Sequence, residues 1–292
     1  MRRLGRWFLG FLLVIVAAVA ALYGYTSYRF NHRYDIVSRN LTLPGDSASL
    51  ERGHRLATTL GKCGDCHAPD FGGRVFIDGM PFAYLATPNL TGGAGSVVGD
   101  WSPAQWDQAI RHGVGPDQNT LMIMPSTSYQ YLTDEDAAAL IAYLRTLPKV
   151  DREHPPRQLG PIARGLFAAG KLPIFEGMKV QHDSVGIRPP MGEGEYLART
   201  TGCYGCHGPE LKGGRLPGEP EDMIPAGNIS TSGMINWTLA DFTTALRTGK
   251  RPDGSTLNER MPWKDTAGMT DGEIEALWSY LRSTGTTGGT SS

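Results

Sequence analysis

The sequence predicts an all-α protein in which two related domains follow an N-terminal transmembrane helix. Three observations lead to this prediction. An uncharged, mostly apolar stretch runs from Trp7 to Tyr25. The same series of motifs then occurs twice along the rest of the chain. Helical periodicity recurs in both copies, whereas no segment alternates apolar and polar residues over a useful strand length.

The apolar stretch is long enough to cross a bilayer, since its residues in a helix would rise about 28 Å against a hydrocarbon core of about 30 Å. Arginines precede it and should stay in the cytoplasm, so the chain that follows is exported. We assign residues 1–28 to a membrane anchor and residues 29–47 to a leader. A cleavable signal peptide is the alternative, because the stretch contains several alanines. Both interpretations export the remainder of the chain.

The two copies occupy residues 48–147 and 191–285, and each has an ordinary domain size. The offset between matching residues drifts slowly along the chain, as expected for related domains separated by small insertions. The matching pairs include Cys63 and Cys203, Asn89 and Asn228, Trp101 and Trp237, Arg111 and Arg247, and Met124 and Met261.

Three helices are predicted in each copy: one before the cysteines, one after the tryptophan and one near the end. The last begins with a threonine that has an acidic residue three positions on, a pattern that predicts a capping box. Apolar residues then recur at helical spacing and define one buried face. The predicted helices are residues 50–60 and 195–201, those that follow Ser102 and Thr238, and those that follow Thr133 and Thr270.

Residues 148–190 link the copies and contain too many prolines for a long helix. Residues 162–170 are largely apolar, so we expect a short helix and a linker wrapped over the domains. A position at the membrane surface is the alternative, because the linker also carries arginine and lysine. Residues 286–292 are serine, threonine and glycine only and are predicted to be disordered.

Each copy contains one Cys-x-x-Cys-His motif, and the two motifs use all four cysteines of the chain. Two thiols three residues apart lie on one side of a helical turn, where both can add to the vinyl groups of one porphyrin. The histidine that follows then presents its imidazole to the iron. The motifs predict two covalently bound haem c groups, one on Cys63, Cys66 and His67 and the other on Cys203, Cys206 and His207. A zinc site is disfavoured, because the two cysteine pairs are too far apart in the sequence.

The second axial ligand of each iron is predicted to be a methionine. Met124 and Met261 each precede a proline and occupy matching positions in the two copies. A thioether at that position would raise the reduction potential relative to stronger donors. The alternative is that both are core residues, for which methionine is well suited. Met122 is a nearby rival, but its counterpart is Glu259.

Other recurrent polar residues have two interpretations each. Asn89 and Asn228 could turn an amide toward the haem or stabilise a turn. Arg111 and Arg247 could offset the charge of haem propionates or lie on the surface at a helix end. The sequence leaves both questions open.

The net charge is −1, but it is unevenly distributed. Both domains are acidic, while the leader and the linker are basic. Acidic domains disfavour nucleic acid as a partner. They permit docking of a basic redox protein, although an acidic solvated surface is the simpler interpretation.

Residues 117–126 (Asp-Gln-Asn-Thr-Leu-Met-Ile-Met-Pro-Ser) and the helix that follows resemble class I cytochrome c domains, as do residues 247–254 and 261–263 in the second copy. They are most similar to the domains of multihaem cytochrome subunits of membrane-bound bacterial dehydrogenases. The resemblance implies two class I cytochrome folds, His/Met haems and electron transfer. Two departures are that those subunits often carry three haems, and that Asp117-Gln118 replaces the usual Asp-Gly.

The sequence therefore favours a single-pass protein of the bacterial inner membrane with its haem domains in the periplasm. It would carry electrons from a dehydrogenase or quinol-linked donor to a respiratory acceptor such as a terminal oxidase, and it would catalyse no reaction itself. The alternative is a dihaem enzyme, such as a peroxidase, with one exchangeable axial position.

Overall fold

The computed structural model describes residues 2–172, 174–187, 190–215, 219 and 221–284. The tail predicted to be disordered lies outside these residues. Helices dominate the described chain. The helices are α1 (Arg2–Phe30), α2 (Ser47–Arg55), α3 (Cys63–His67), α4 (Pro103–His112), α5 (Ser126–Tyr129), α6 (Asp134–Leu144), α7 (Pro161–Ala168), α8 (Glu193–Thr200), α9 (Cys203–His207), α10 (Leu239–Thr248), α11 (Trp263–Thr266) and α12 (Asp271–Ser283).

The same five-helix order occurs twice, as α2 to α6 and again as α8 to α12. In each set the first helix crosses the last at a glycine. A Cβ at Gly53 would lie 2.1 Å from the carbonyl oxygen of Ala139, and one at Gly194 would lie 2.1 Å from that of Ala276. Only glycine permits so close an approach of two helix backbones. The helix crossing is therefore the same in both copies.

A π-helical turn at Leu56–Leu60 follows α2 and has no counterpart after α8. Gly53 lies ten residues before Cys63, whereas Gly194 lies nine residues before Cys203. A π turn accommodates more residues per turn than an α-helix, so it absorbs the additional residue. The first copy thereby keeps both its helix crossing and its cysteine turn in register.

The predicted N-caps of the other helices are confirmed, with one difference at α6, whereas α2 begins at Ser47 and α8 at Glu193, before the predicted starts at residues 50 and 195. Ser102, Thr238 and Thr270 each form a reciprocal capping box. Thr133 accepts a hydrogen bond from the backbone N–H of Asp136, but the carboxylate of Asp136 does not return one. That carboxylate instead accepts hydrogen bonds from Arg52 and Tyr196, which come from other helices.

Three short strands, β1 (Val75–Gly79), β2 (Ala83–Ala86) and β3 (Gln158–Leu159), form an antiparallel sheet in that order. The sequence did not predict them, because strands of two to five residues are too short to show alternation. Strand β3 belongs to the linker and pairs with β2 of the first copy. The linker thus lies against that copy, and its apolar segment forms α7.

Helix α1 contains a 26-residue segment that is long and apolar enough to cross a membrane. Most of its apolar side chains are exposed to the surroundings, as membrane-facing residues would be. Its last turns differ, because Thr26 and Phe30 are buried. Phe30 lies 4.8 Å from Phe167 of α7 and 4.7 Å from Phe175, measured between ring centroids.

Candidate haem-attachment sites

Each Cys-x-x-Cys-His motif forms a single helical turn, α3 or α9. A residue in the left-handed conformation precedes each turn: Lys62 with a φ of 51° and Gly202 with a φ of 81°. A second positive φ follows each turn, at Ala68 and Gly208. The chain therefore reverses sharply on both sides of the motif. This isolates one helical turn, which places the two thiols on the same side.

The motif histidines are oriented by backbone carbonyls that lie about 20 residues further along the chain. Nδ1 of His67 donates to the carbonyl oxygen of Pro88 at 3.0 Å, and Nδ1 of His207 donates to that of Gly227 at 2.7 Å. Because a carbonyl only accepts, the proton lies on Nδ1 and Nε2 is left with its lone pair. Burial lowers the pKa of both imidazoles and favours the neutral form. A neutral, oriented imidazole is what a metal ligand requires.

The four cysteines form no disulfide in the structure. Burial raises the pKa of the Cys63 thiol to about 12 and also raises that of Cys203. Burial therefore favours the neutral thiol at Cys63 and Cys203, and in each motif the two cysteines, free of disulfide bonds, lie beside an oriented imidazole. A buried donor, Nε1 of Trp106, has no hydrogen-bond partner within the described part of the first copy. These features fit a polar macrocycle attached at each motif, and the chemistry of the donor set fits haem c.

Met124 and Met261 lie in the same local conformation. The proline after each has a φ of −78°, with a ψ of 52° at Pro125 and 57° at Pro262. The N–H of the residue after each proline donates to the methionine carbonyl at 2.7 Å. Such an inverse γ-turn reverses the chain just before a short helix. Both side chains are partly buried and pack against the hydrophobic core. Their ligation to iron stays a prediction.

The structure answers the question left open for the asparagines. The side-chain oxygen of Asn89 accepts from the backbone N–H of Thr91 at 2.9 Å, and that of Asn228 accepts from Ser230 at 2.9 Å. The amide of Asn89 donates to the carbonyl of Val150 in the linker at 2.7 Å. Both asparagines therefore stabilise turns.

The two recurrent arginines differ from each other. Arg111 is fully buried and binds Asp107, also fully buried, together with Asp134 at 2.8 Å. Arg247 is about one third exposed and pairs with Asp271, whose side chain is 92% exposed. The surface interpretation therefore suits Arg247, while Arg111 belongs to a buried ionic cluster that the sequence did not indicate.

The two attachment turns meet at an interface between the copies. Arg55 of α2 binds Glu273 at the start of α12 at 2.5 Å, and Tyr196 of α8 binds Asp136 in the first turn of α6 at 2.5 Å. Because α2 matches α8 and α6 matches α12, the two contacts are reciprocal. Nζ of Lys62, beside the first motif, donates to the carbonyl of Thr201, beside the second, at 2.8 Å. The sequence pattern did not predict this contact between the two copies.

Comparison with known proteins gives matches in both copies. The family profile described as cytochrome c matches residues 50–148 and 192–285. A protein of Cereibacter sphaeroides named diheme cytochrome c-type is 30% identical over 82% of this chain and 86% of its own length.

Two dehydrogenase subunits are also similar. The alcohol dehydrogenase (quinone) cytochrome c subunit of Gluconacetobacter polyoxogenes is 26% identical over 83% of this chain. The gluconate 2-dehydrogenase cytochrome c subunit of Pantoea cypripedii is 27% identical over 82% of it. The chain covers 57% and 60% of the lengths of these two subunits.

Proposed function

Because the chain belongs to the cytochrome c family and carries two covalently bound haem c groups, we propose that it is a membrane-anchored electron carrier of the bacterial periplasm. Haem c supplies a one-electron couple at its iron. Cys63, Cys66 and His67 would hold the first haem, and Cys203, Cys206 and His207 the second. The observation that carries the proposal is the pair of attachment turns, each with an oriented imidazole, that meet at one interface.

Met124 and Met261 are proposed as the second axial ligands. Each lies in an inverse γ-turn and packs against the hydrophobic core. With both axial positions filled by protein side chains, neither iron would have an open site for a substrate. This arrangement suits transfer of electrons and disfavours the peroxidase alternative.

Single alanine substitutions test the methionine ligands. We expect Met124→Ala and Met261→Ala each to remove about half of the methionine-to-iron charge-transfer absorbance of the oxidised protein, since each would remove one of two thioether ligands. Met122→Ala is the matched control, because Met122 lies two residues from Met124 but has Glu259 as its counterpart. Loss of the band in Met122→Ala but not in Met124→Ala would reassign the first ligand.

Carbon monoxide binding tests the carrier against the enzyme. If both irons are held by six ligands, the reduced, detergent-solubilised protein should show little spectral change under carbon monoxide. It should also consume hydrogen peroxide slowly or not at all. A stoichiometric carbon monoxide complex at one haem together with saturable peroxide turnover would favour the dihaem enzyme.

The partners are proposed from the chemistry of the relatives. Two relatives are named as cytochrome c subunits of dehydrogenases, one of them an alcohol dehydrogenase (quinone). We infer that a membrane-bound dehydrogenase or a quinol-linked protein donates electrons to this chain. A respiratory acceptor, such as a terminal oxidase, would receive them. The acidic domains give no reason to expect nucleic acid as a partner.

Retention of α1 as a membrane anchor is supported by contacts at its end. Arg164 of α7 donates to the hydroxyl of Thr26 at 2.6 Å and lies 4.5 Å from the centre of the Tyr23 ring. Phe30 is 8% exposed. A signal-peptide cut after the alanines near residue 20 would fall within this helix and leave Tyr23, Thr26 and Phe30 on a short remnant at the new N-terminus, where an isolated helix is only marginally stable. Ile162 and Leu166 of α7 are exposed beside this junction, where they would meet the membrane surface.

Intact mass spectrometry tests the anchor. The mature protein should retain the α1 residues, carry two haem additions and stay with the membrane after a carbonate wash. A mass lacking about the first 20 residues, with release into the soluble fraction, would show instead that the segment is a signal peptide. Deletion of residues 2–28 behind a foreign signal peptide should release the protein with both haems still attached.

A further inference from the structure

Lys62 occupies an unusual position directly before the first attachment turn. Its Nζ donates to the carbonyl oxygen of Leu60 in its own domain at 3.3 Å and to that of Thr201 in the other domain at 2.8 Å. Thr201 stands just before the second attachment turn. One ammonium group therefore bridges the two segments that lead into the haem-binding motifs.

The backbone at Lys62 does not favour lysine. Its φ of 51° lies in the left-handed region, which residues with a Cβ rarely adopt. The second copy places Gly202 at the same position with a φ of 81°, and glycine adopts this conformation freely. A lysine in a glycine conformation indicates that its side chain has a role that the backbone alone does not explain.

The charge of Lys62 acts on both motifs. Its ammonium opposes the rise in pKa that burial causes in the thiols of Cys63 and Cys203. Burial lowers the pKa of Lys62 itself, while the negative charges of the nearby Asp265 and Asp65 oppose that change. The second copy has Gly202 in its place and so contributes no equivalent charge. A single cation therefore lies between the segments that lead into the two attachment turns, where the surrounding protein screens it less than water would.

We propose that Lys62 is a positioning residue for electron transfer between the two haems, which holds the two attachment turns together and favours the reduced state of both. A positive charge near an iron stabilises the form that has gained an electron. Because one ammonium contacts both segments, its removal should affect both haems in the same direction. The inference rests on the proposed function in one respect, namely that each motif carries a haem.

The test is a potentiometric titration of the full-length protein in detergent, followed through the haem absorbance. In Lys62→Met, which keeps the length but not the charge, the reduction equilibrium constant of each haem should fall about tenfold. That fall equals about 59 mV for a one-electron couple. Lys62→Arg should keep both values close to wild type. Lys149→Met, which removes an exposed lysine of the linker, is the control and should leave both values unchanged.

Lys62→Gly controls for misfolding of Lys62→Met, because glycine readily adopts the left-handed backbone conformation at this position. It should keep this turn free of backbone strain, retain two haems per chain and still show the lower midpoint potentials at both haems. Midpoints for Lys62→Met and Lys62→Gly that match Lys149→Met would overturn the proposal, as would a shift at one haem only. A haem content of two per chain with unshifted midpoints would refute this inference alone. A haem content below two in wild-type protein would instead refute the proposed function.

Discussion

Replacing Arg111 with methionine is expected to lower the free energy of unfolding by about 3–5 kcal/mol, the usual cost of breaking a buried ion pair. Arg111 and Asp107 are both fully buried, and the guanidinium also binds Asp134 and the carbonyl of Leu132. Methionine fills similar volume but leaves the Asp107 carboxylate without its cationic partner. A backbone N–H, that of Arg39, would then be its remaining donor among the described residues. An unpaired carboxylate in that environment is costly.

Arg247→Met is the matched control, because Arg247 holds the same place at the end of α10. Its partner Asp271 is almost fully exposed, so the loss should be about 0–1 kcal/mol. Guanidinium denaturation of the full-length protein in detergent, followed by haem absorbance, measures both variants. Equal losses in the two variants would show that the cluster at Arg111 contributes no more than a surface pair does.

Removal of either cysteine pair is expected to halve the covalent haem content. In Cys63→Ala/Cys66→Ala the first motif retains His67, but it has no thiol with which to form a thioether, so that haem would be lost during denaturation. Cys203→Ala/Cys206→Ala should lose the other haem. Each double variant is the control for the other, because the untouched motif reports whether haem attachment still operates in the cell.

The alkaline pyridine spectrum of denatured protein, compared with protein concentration, gives the haem count. Two haems per chain are expected in wild type and one in each double variant. Two haems in both double variants would show that the macrocycles are attached elsewhere. No covalent haem in either variant would show that attachment at one turn depends on the other. The contact between Lys62 and Thr201 at their shared interface offers a route for such dependence.

Local features of the fold were predictable from the sequence because they depend on neighbouring residues. Ser102, Thr238 and Thr270 begin helices in both prediction and structure, since each can accept a hydrogen bond from the backbone N–H three residues on. The attachment turns followed from the cysteine and histidine spacing alone. The recurrence of the motifs likewise indicated two copies, which the family match supports.

Features that depend on distant residues could not be predicted. Asp136 has the sequence of a capping-box residue, but Arg52 and Tyr196 reach its carboxylate from helices far away in the chain. Strand β3 has only two residues, and they form a strand because they pair with the free edge of β2. The burial of Arg111 depends on how α4 meets the start of α6. In each case the deciding partner lies more than 20 residues away, beyond the reach of a local pattern.

The reciprocal contacts of Arg55 with Glu273 and of Tyr196 with Asp136 give the two copies a pseudo-symmetric interface. A surface that packs against its own equivalent is the geometry of a two-fold symmetric homodimer. Fusing two such subunits makes their association independent of concentration. Within one chain the two copies need not be identical, so a lysine can occupy position 62 in the first copy and a glycine the matching position 202 in the second. A two-fold homodimer of one such domain would have to place the same residue on both sides of its interface.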